Sequence, residues 1–489
     1  MCHGTIQNDS QPYLPIFRHY CLFLGILADS LLSLFISQLK KDAIVSLDTV
    51  ILGAGPAGLA VAHELNKSGA KVKVVESSQR AGGSIRTVNQ DGWIVETGPN
   101  TLQINGEGDL KILRGYGLDK EILMADSSAA NRFILSRGKL HTLTAKPTSL
   151  LKSDLLSFTE KVRLLSEVFI ARSKFKNESV FNFVARRFGS AAAELLMDPV
   201  IAGTHAGNPR ELMIENCFPL LTELEKNHRS VLLGLIKNKK EARAIIGFKN
   251  GMQQLAETMA ESLKNDIELG CHVTLMQKSK GGWQVAWRNT RGEENGAWAK
   301  NLIITIPHWQ WSAALPFEVL KDLEDWKLVP SPSVTVMARG YNRAEVPHSL
   351  NGFGYLIPQS EKHEILGTLF SSSVLPSRAP DGKILLTSFI GGARQPQMAG
   401  KSDIALGEIL DREFKETLGI TARPEKEWIQ RWEKSIPQYT VGQTERENSL
   451  TDCESKNLGL HFHGAFRGGI SLMQVIRGGH SLAQKISKS

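Results

Sequence analysis

The chain has 489 residues, enough for two or three domains around a large core. Its apolar content of 42% and charged content of 22% are those of an ordinary globular protein and exclude a disordered or fibrous one. The net charge of +8 comes without a dense Lys/Arg run or a basic–aromatic module, so nucleic acid is excluded as a partner. A scattered basic surface remains, compatible with an anionic membrane or an acidic substrate. The five cysteines, Cys2, Cys21, Cys217, Cys271 and Cys453, are odd in number and scattered, with no zinc spacing. They read as small apolar residues in a reducing setting.

Near the N-terminus, Leu22 to Ile36 is apolar, between Arg18 and Lys40–Lys41. It is short for a span of about 20 residues, and Asp29 interrupts it. Asp29, Ser33 and Ser37 share one helical face. The segment reads as an interfacial helix, a removed targeting segment, or an extension ahead of the true start. The dinucleotide fold is expected to begin at Asp48.

From there the pattern is strand, glycine turn, helix, strand. Thr49–Leu52 is apolar, and Gly53–Ala54–Gly55–Pro56–Ala57–Gly58 gives GxGxxG. Leu59, Val61, Ala62 and Leu65 have helical spacing, and Val72–Val75 ends on Glu76. This context makes the glycines informative. Gly53 permits the tight turn, Gly55 admits a pyrophosphate, and Gly58 lets helix and strand pack. The pyrophosphate would meet the helix N-terminus. Glu76 is spaced to hold ribose hydroxyls, and its charge disfavours a 2′-phosphate.

A second glycine loop follows, with Arg80, Gly82, Gly83 and Arg86, whose arginines are candidates to meet phosphates. Gly92 to Glu96 reads as a strand leading into Gly98–Pro99–Asn100. Residues 158–236 are mainly helical, interrupted by a loop at Gly203–Gly207. Phe248–Met259 reads as strand end, turn and helix. Val273–Leu275 and Trp283–Trp287 flank Gly281–Gly282 as a hairpin. Asn301–Ile306 is a buried strand stopped by Pro307. Val334–Ala338, Gly354–Ile357, Ile365–Phe370 and Ile384–Ile390 suggest one antiparallel sheet of a second domain. Finally, a strand within Leu458–Phe462 meets a third glycine turn, Gly464, Gly468 and Gly469, and a helix beginning around Ile470 and Ser471. That helix would point its positive end at whatever binds the turn.

With GAGPAG through Glu76, RAGGSIRT and HGAFRGGISL in view, the chain resembles the flavin-containing amine oxidoreductase family. The further runs GPNTLQ, DPVIAGTHAGNP, FKNGMQQL and above all LGTLFSSSVLPSRAP resemble its oxygen-dependent, porphyrinogen-oxidising branch. The resemblance covers most of the chain from Asp48 and none of the first forty residues. It implies an α/β fold: a doubly wound, Rossmann-like FAD-binding domain from separated segments, an antiparallel-sheet substrate domain and a helical insertion. The expected segments are 1–47 as extension, 48–126, 248–310 and 425–489 for FAD, and 127–247 with 311–424 for substrate. It implies non-covalent FAD, six-electron oxidation of protoporphyrinogen IX, and oxygen reduced to hydrogen peroxide. Hydride transfer to a flavin needs the cofactor's electronics and a placed carbon, with no charged triad.

By position, the resemblance makes Arg132 a propionate partner and puts Leu356, Leu369 and Phe389 around the substrate. Gly203 would offer a backbone carbonyl as proton acceptor. Asn100 falls near the flavin, and Val273 where a hairpin meets adenine. His205 and Gln443 depart from the family pattern. The resemblance also brings a membrane-facing helical insertion and a homodimer. Its setting would be the bacterial cytoplasm or membrane surface, or a plastid or mitochondrial membrane. Three alternatives stay open: oxidation of coproporphyrinogen III, another amine oxidase or carotenoid desaturase, and a non-catalytic FAD- or porphyrin-binding scaffold.

Overall fold

The computed structural model describes residues 44–144, 147–173, 176–237 and 243–488. The apolar segment Leu22–Ile36 lies outside these. The first strand runs Ile44–Leu52, four residues longer at its start than Asp48 suggests, because Ile44–Leu47 pair in parallel with Gly296–Ala299. Ile44–Leu52 lies between Val72–Val75 and Glu294–Ile304, all parallel. Ile267–Glu268 and Leu460–Phe462 extend the parallel set at its two sides. The hairpin His272–Ser279 and Gly282–Arg288 joins Glu294–Ile304 antiparallel. Asn301–Ile306 is therefore the end of a longer strand, since its first half is the hairpin's partner.

Helix Pro56–Lys67 starts with proline at N1, where no N–H is needed. Leu59, Ala60, Val61, Ala62 and Leu65 bury completely against the sheet. Their small size also admits the C-terminal helix Leu472–Ser487. A Cβ on Gly479 would lie 2.8 Å from Ala60 Cβ. Ser487 Oγ meets Ser68 Oγ at 3.3 Å, so the two helices run in the same direction.

The second sheet has seven strands in the order Lys426–Trp432, Val334–Asn342, Lys383–Gly391, Gly367–Leu369, Gly354–Leu356, Arg132–Ser136 and Lys139–Leu143. It departs from the expected antiparallel pattern at one pairing, Gly354–Leu356 with Arg132–Ser136, which is parallel. Its edge strand Lys426–Trp432 comes from the stretch expected with the FAD segments; it pairs with Val334–Gly340. Helix Asp403–Leu418 covers one face through Leu406, Leu410 and Phe414, packed on Met337, Tyr341 and Leu386. The other face packs through Val336 and Leu366 on Ala202 and Ala206, and through Ala338 and Leu385 on Trp93 and Val95.

The helical layer is built around a buried charge pair. Arg187 and Glu167 are both fully buried and in direct contact. Glu167 also accepts from the N–H groups of Val231 (2.9 Å) and Leu232 (3.3 Å), capping the helix that begins there. Arg187 donates to Ile170 O (2.9 Å) and Arg229 O (2.9 Å). One guanidinium thus joins three otherwise separate segments. Replacing it leaves a carboxylate buried without its partner. Arg187→Met is expected to cost about 3–5 kcal/mol in urea unfolding, and a loss below about 1 kcal/mol would show that the network is not what holds this layer.

Candidate active site

Strands ending at Leu52, Val75, Ile304 and Phe462 all finish at the same edge. In an open parallel sheet that is where ligands bind. Each strand there gives way to a special turn. Gly53 has φ +104°, and a Cβ on Gly58 would sit 2.0 Å from Gly53 O, so neither position accepts a side chain. Thr305 Oγ1 donates to Leu52 O (2.7 Å) and fixes the same turn from the neighbouring strand.

The second glycine loop rests on the first. Gly82 N–H donates to Ala54 O at 2.8 Å, and a Cβ on Gly83 would come within 3.1 Å of Gly55 Cα. Two backbones approach with no side chains between them beside the N-terminus of helix Pro56–Lys67. Glu76 accepts from Ala54 N–H (2.7 Å) and Ser78 N–H (2.8 Å), so its carboxylate is held at the rim of this cradle. Cys271 N–H donates to Glu76 O (2.8 Å), which draws the Val273 hairpin strand alongside.

Arg80 turns inward, toward its own loop. Its guanidinium donates to Ile85 O (2.9 Å), Gly83 O (2.7 Å), Ala81 O (3.2 Å) and Gln253 Oε1 (3.2 Å). It is spent on shaping the loop that carries Gly82 and Gly83. Burial, and Arg86 nearby, hold it below the usual arginine range. Arg86 points across to the second sheet, donating to Gln430 Oε1 at 2.8 Å.

The third turn has Gly468 at φ +75° and Gly469 at φ +126°. Gly469 N–H donates to Tyr439 Oη (3.0 Å), which in turn donates to Ala465 O (2.7 Å). One buried phenol therefore clamps both ends of the turn that holds Gly464 and Ile470. Ser471 is the N-cap of Leu472–Ser487, in a reciprocal capping box with Gln474. Opposite lies the Gly98–Pro99–Asn100 loop. A Cβ on Gly98 would overlap Ser84 O at 1.9 Å. Trp432 Nε1–H donates to Thr97 O (2.8 Å), so the second sheet is tied directly to this loop. Asn100 Nδ2 donates to Gly98 O (3.0 Å), while its Oδ1 is buried without a partner. Backbone cradle, acidic rim, capped helix and an unpaired buried acceptor together fit a dinucleotide lying along the edge.

On the second sheet, Leu356, Gly367 and Phe389 fall in one row across three strands. Leu369 is two residues beyond Gly367 and shares that face. Ile134 pairs with Leu356, which puts Arg132, two residues before it, on the same face. The four expected substrate residues therefore come together, though they come from four strands. Arg132 stacks over Phe353 at 5.3 Å and has no hydrogen-bond or ion-pair partner among the described residues. The residue is exposed at the strand's start, and partial burial of its guanidinium lowers it from the usual arginine range.

The expected Gly203–Gly207 loop is a correction. Gly203 lies in the last turn of helix Asp198–His205, and the break comes at Ala206, with φ +49°. The helix is pinned there because Asp198 accepts from Arg394 (2.6 Å) and Gln438 donates to His205 O (2.9 Å). Gly203 touches the Leu356 side chain: a Cβ would lie 2.5 Å from Leu356 Cδ2. Ala206 N–H and Gly207 N–H both turn back to Ile201 O, so neither caps the Gly203 carbonyl.

His205 follows two residues later, about 200° round the helix, buried against Phe218 and bonded through Nδ1 to Thr204 (2.8 Å). Burial pushes it down to about 4. It does not narrow the Leu356 side. Gln443 donates to Phe466 O (3.0 Å) and Glu447 (3.0 Å), a support beneath the third glycine turn. Trp432 and Tyr439 are the residues sequence reasoning missed. Tyr439 sits in the run IPQYTVGQT beside Gln443, whereas Trp432 carries no local signal. A cavity of about 240 Å³ lined by His308, Trp309, Trp311 and Trp326 contains none of the site residues.

Residues 56–486 match the flavin containing amine oxidoreductase family. The chain is 31% identical over 480 residues to the mitochondrial protoporphyrinogen oxidase of Nicotiana tabacum, covering 89% of this chain and 94% of that one. It is 28% identical over 453 residues to the coproporphyrinogen III oxidase of Bacillus subtilis (strain 168), covering 87% and 95%. A solved structure from Exiguobacterium sp. 255-15 superposes with a TM-score of 0.75 at 20% identity, covering 91% of this chain and 99% of that one. Cyclohexylamine oxidase from Brevibacterium oxydans IH-35A superposes at 0.66, with 17% identity and coverage of 91% and 99%. The family match runs from the first helix through the second sheet to the C-terminal helix: the chain belongs to the flavin-containing amine oxidoreductase family and is an FAD-dependent oxidoreductase.

Proposed function

We propose that the enzyme removes six electrons from protoporphyrinogen IX to give protoporphyrin IX, with oxygen as final acceptor and hydrogen peroxide as the second product. The observation that carries this reading is Arg132, whose guanidinium has no hydrogen-bond or ion-pair partner among the described residues, on a face otherwise made of Leu356, Leu369 and Phe389. A flat apolar macrocycle edged with carboxylates complements that face. The relatives named protoporphyrinogen oxidase support it.

FAD supplies the electron acceptor. The chain's own residues do the rest. Glu76 holds the ribose, and the turns at Gly53–Gly58, Gly82–Gly83 and Gly464–Ser471 let backbone replace water around the phosphates and ring. Asn100 offers a fixed polar contact on the flavin side. Leu356, Leu369 and Phe389 keep water from the reacting carbon. Gly203 O, uncapped at the negative end of its helix, is suited to accept a proton that the substrate releases.

A peripheral membrane contact accompanies this function. Phe158, Val162, Leu165 and Phe169 recur at helical spacing along one stripe, with Phe158 80% and Phe169 86% exposed. Ile236, 81% exposed, comes from the same helical layer, and Lys152, Lys161 and Arg172 are near in sequence. An apolar stripe edged by cations suits an interface. Among the described residues no helix is long and apolar enough to cross a membrane.

Arg132→Ala is expected to raise KM for protoporphyrinogen roughly tenfold to a hundredfold, the scale of one charged hydrogen bond, with FAD content unchanged in porphyrin-fluorescence assays. Turnover of coproporphyrinogen III above that of protoporphyrinogen would transfer the reading to the four-propionate substrate. Glu76→Ala should weaken FAD retention at least about tenfold on gel filtration; full flavin occupancy would refute the ribose contact. Phe158→Ser with Phe169→Ser should abolish co-sedimentation with anionic vesicles while leaving flavin content intact.

A further inference from the structure

Tyr439 is 3% exposed, and it is bonded through its hydroxyl and through its backbone to different parts of the molecule. The hydroxyl joins Gly469 N–H (3.0 Å) to Ala465 O (2.7 Å) across the third turn. Gly468 and Gly469 both have positive φ, and paired glycines have no side-chain sterics to hold one shape. The form of that turn is therefore imposed from outside it. Burial pushes the hydroxyl above the ordinary tyrosine range, so it keeps its proton and stays a donor. The backbone of the same residue meets the helical layer. Tyr439 O accepts from Met213 N–H (2.8 Å), and Thr440 bridges to Leu212. On the preceding residue, Gln438 Nε2 donates to His205 O (2.9 Å), at the end of the helix that carries Gly203. Gln438 N–H donates to Pro330 O (2.9 Å), on the chain entering strand Val334–Asn342. Three consecutive residues thus tie the third turn to the Gly203 helix and to the second sheet.

We propose that Tyr439 is a positioning residue: it holds the third glycine turn, and the flavin against that turn, at a fixed separation from the helix that carries Gly203. Its hydroxyl shapes the turn. Its backbone, with the Gln438 amide beside it, registers that shape against the helical layer. Loss of the hydroxyl leaves Gly469 N–H and Ala465 O without this partner and frees the glycine pair. The turn then drifts relative to the Gly203 carbonyl. A displacement of about 1 Å at a reacting site costs about a hundredfold in rate. Tyr439 acts through the backbone of the turn, not on the reacting atoms. This rests on the readings of the third turn as flavin-facing and of Gly203 O as proton acceptor.

The test uses the FAD-loaded full chain. Tyr439→Phe removes the hydroxyl and keeps the ring. Amide exchange over Gly464–Ser471, read by mass spectrometry, should quicken at least about fivefold, the scale of one hydrogen bond, and the visible flavin bands should shift. In the same variant kcat for protoporphyrinogen should fall about tenfold or more with KM unchanged. Gln438→Leu frees the helix end and leaves the hydroxyl in place. It should quicken exchange at Ala206 and Gly207 and lower kcat about tenfold, with the turn's exchange and the flavin bands as in the wild type. Arg187→Met loosens the helical layer elsewhere and should move neither the turn's exchange nor the bands. Wild-type exchange and bands in Tyr439→Phe overturn the proposal. So does an equal quickening of the turn in Arg187→Met, which marks general destabilisation. Should Tyr439→Phe fail to fold, Gln438→Leu decides, and wild-type kcat in that variant overturns the proposal. Exchange and flavin bands do not use the substrate, so absence of protoporphyrinogen turnover in the wild type would reject the functional reading and leave the Tyr439 tether to be judged on those two.

Discussion

The site depends on one close approach of bare backbone. Gly53, Gly58, Gly82 and Gly83 let two loops and a helix N-terminus meet where a side chain would crowd its neighbours, with Gly83 seated against Gly55. The rest is arranged to hold that approach in place. Thr305 secures the first turn from a neighbouring strand, Arg80 stiffens the second loop from within, and Glu76 ties both to the rim. Anion binding at such a place needs no lysine or arginine, because the unpaired N–H groups and the helix field supply it. This explains why Arg80 is free to serve the loop's own carbonyls.

The second sheet supplies what the cradle lacks, a broad apolar wall with one cation. Its attachment is polar and specific. Trp432 reaches Thr97 O, and Arg86 reaches Gln430, so the wall is registered against the flavin-side loop by hydrogen bonds from both directions. Its far face is sealed by helix Asp403–Leu418. A wall backed on one side and tethered on the other can define a gap narrow enough to orient a flat molecule.

Much of this was legible in the sequence, and the reasons differ by element. The GxGxxG cradle and Glu76 follow from local sterics, so a short window carries them. The hairpin at Gly281–Gly282 and the terminal helix are local too. The shared face of Arg132, Leu356, Leu369 and Phe389 was accessible only through family resemblance, because it is created by register between strands far apart in the chain. For Arg80, the sequence shows that a guanidinium is near glycines and cannot show which carbonyls it faces. The two glycines Gly203 and Gly207 suggest a loop from sequence alone. The helix persists because Asp198, Arg394 and Gln438 pin it from outside the segment. Trp432 and Tyr439 act on backbone atoms well over twenty residues away, which no local pattern encodes.

The parallel alignment of the first and last helices has a further consequence. From the Gly479–Ala60 contact, Leu472 lies seven residues back and Pro56 four, so the C-terminal helix projects about three residues further, roughly 5 Å. The molecule therefore presents two positive poles on the same side, staggered rather than level. A two-part ligand with charge at one end and an electron-hungry ring at the other would feel each pole separately. Gly479 acts as the spacer between these poles. Any bulkier residue there would wedge the helix axes apart, detuning the match between the two fields without altering a single atom that faces the cofactor.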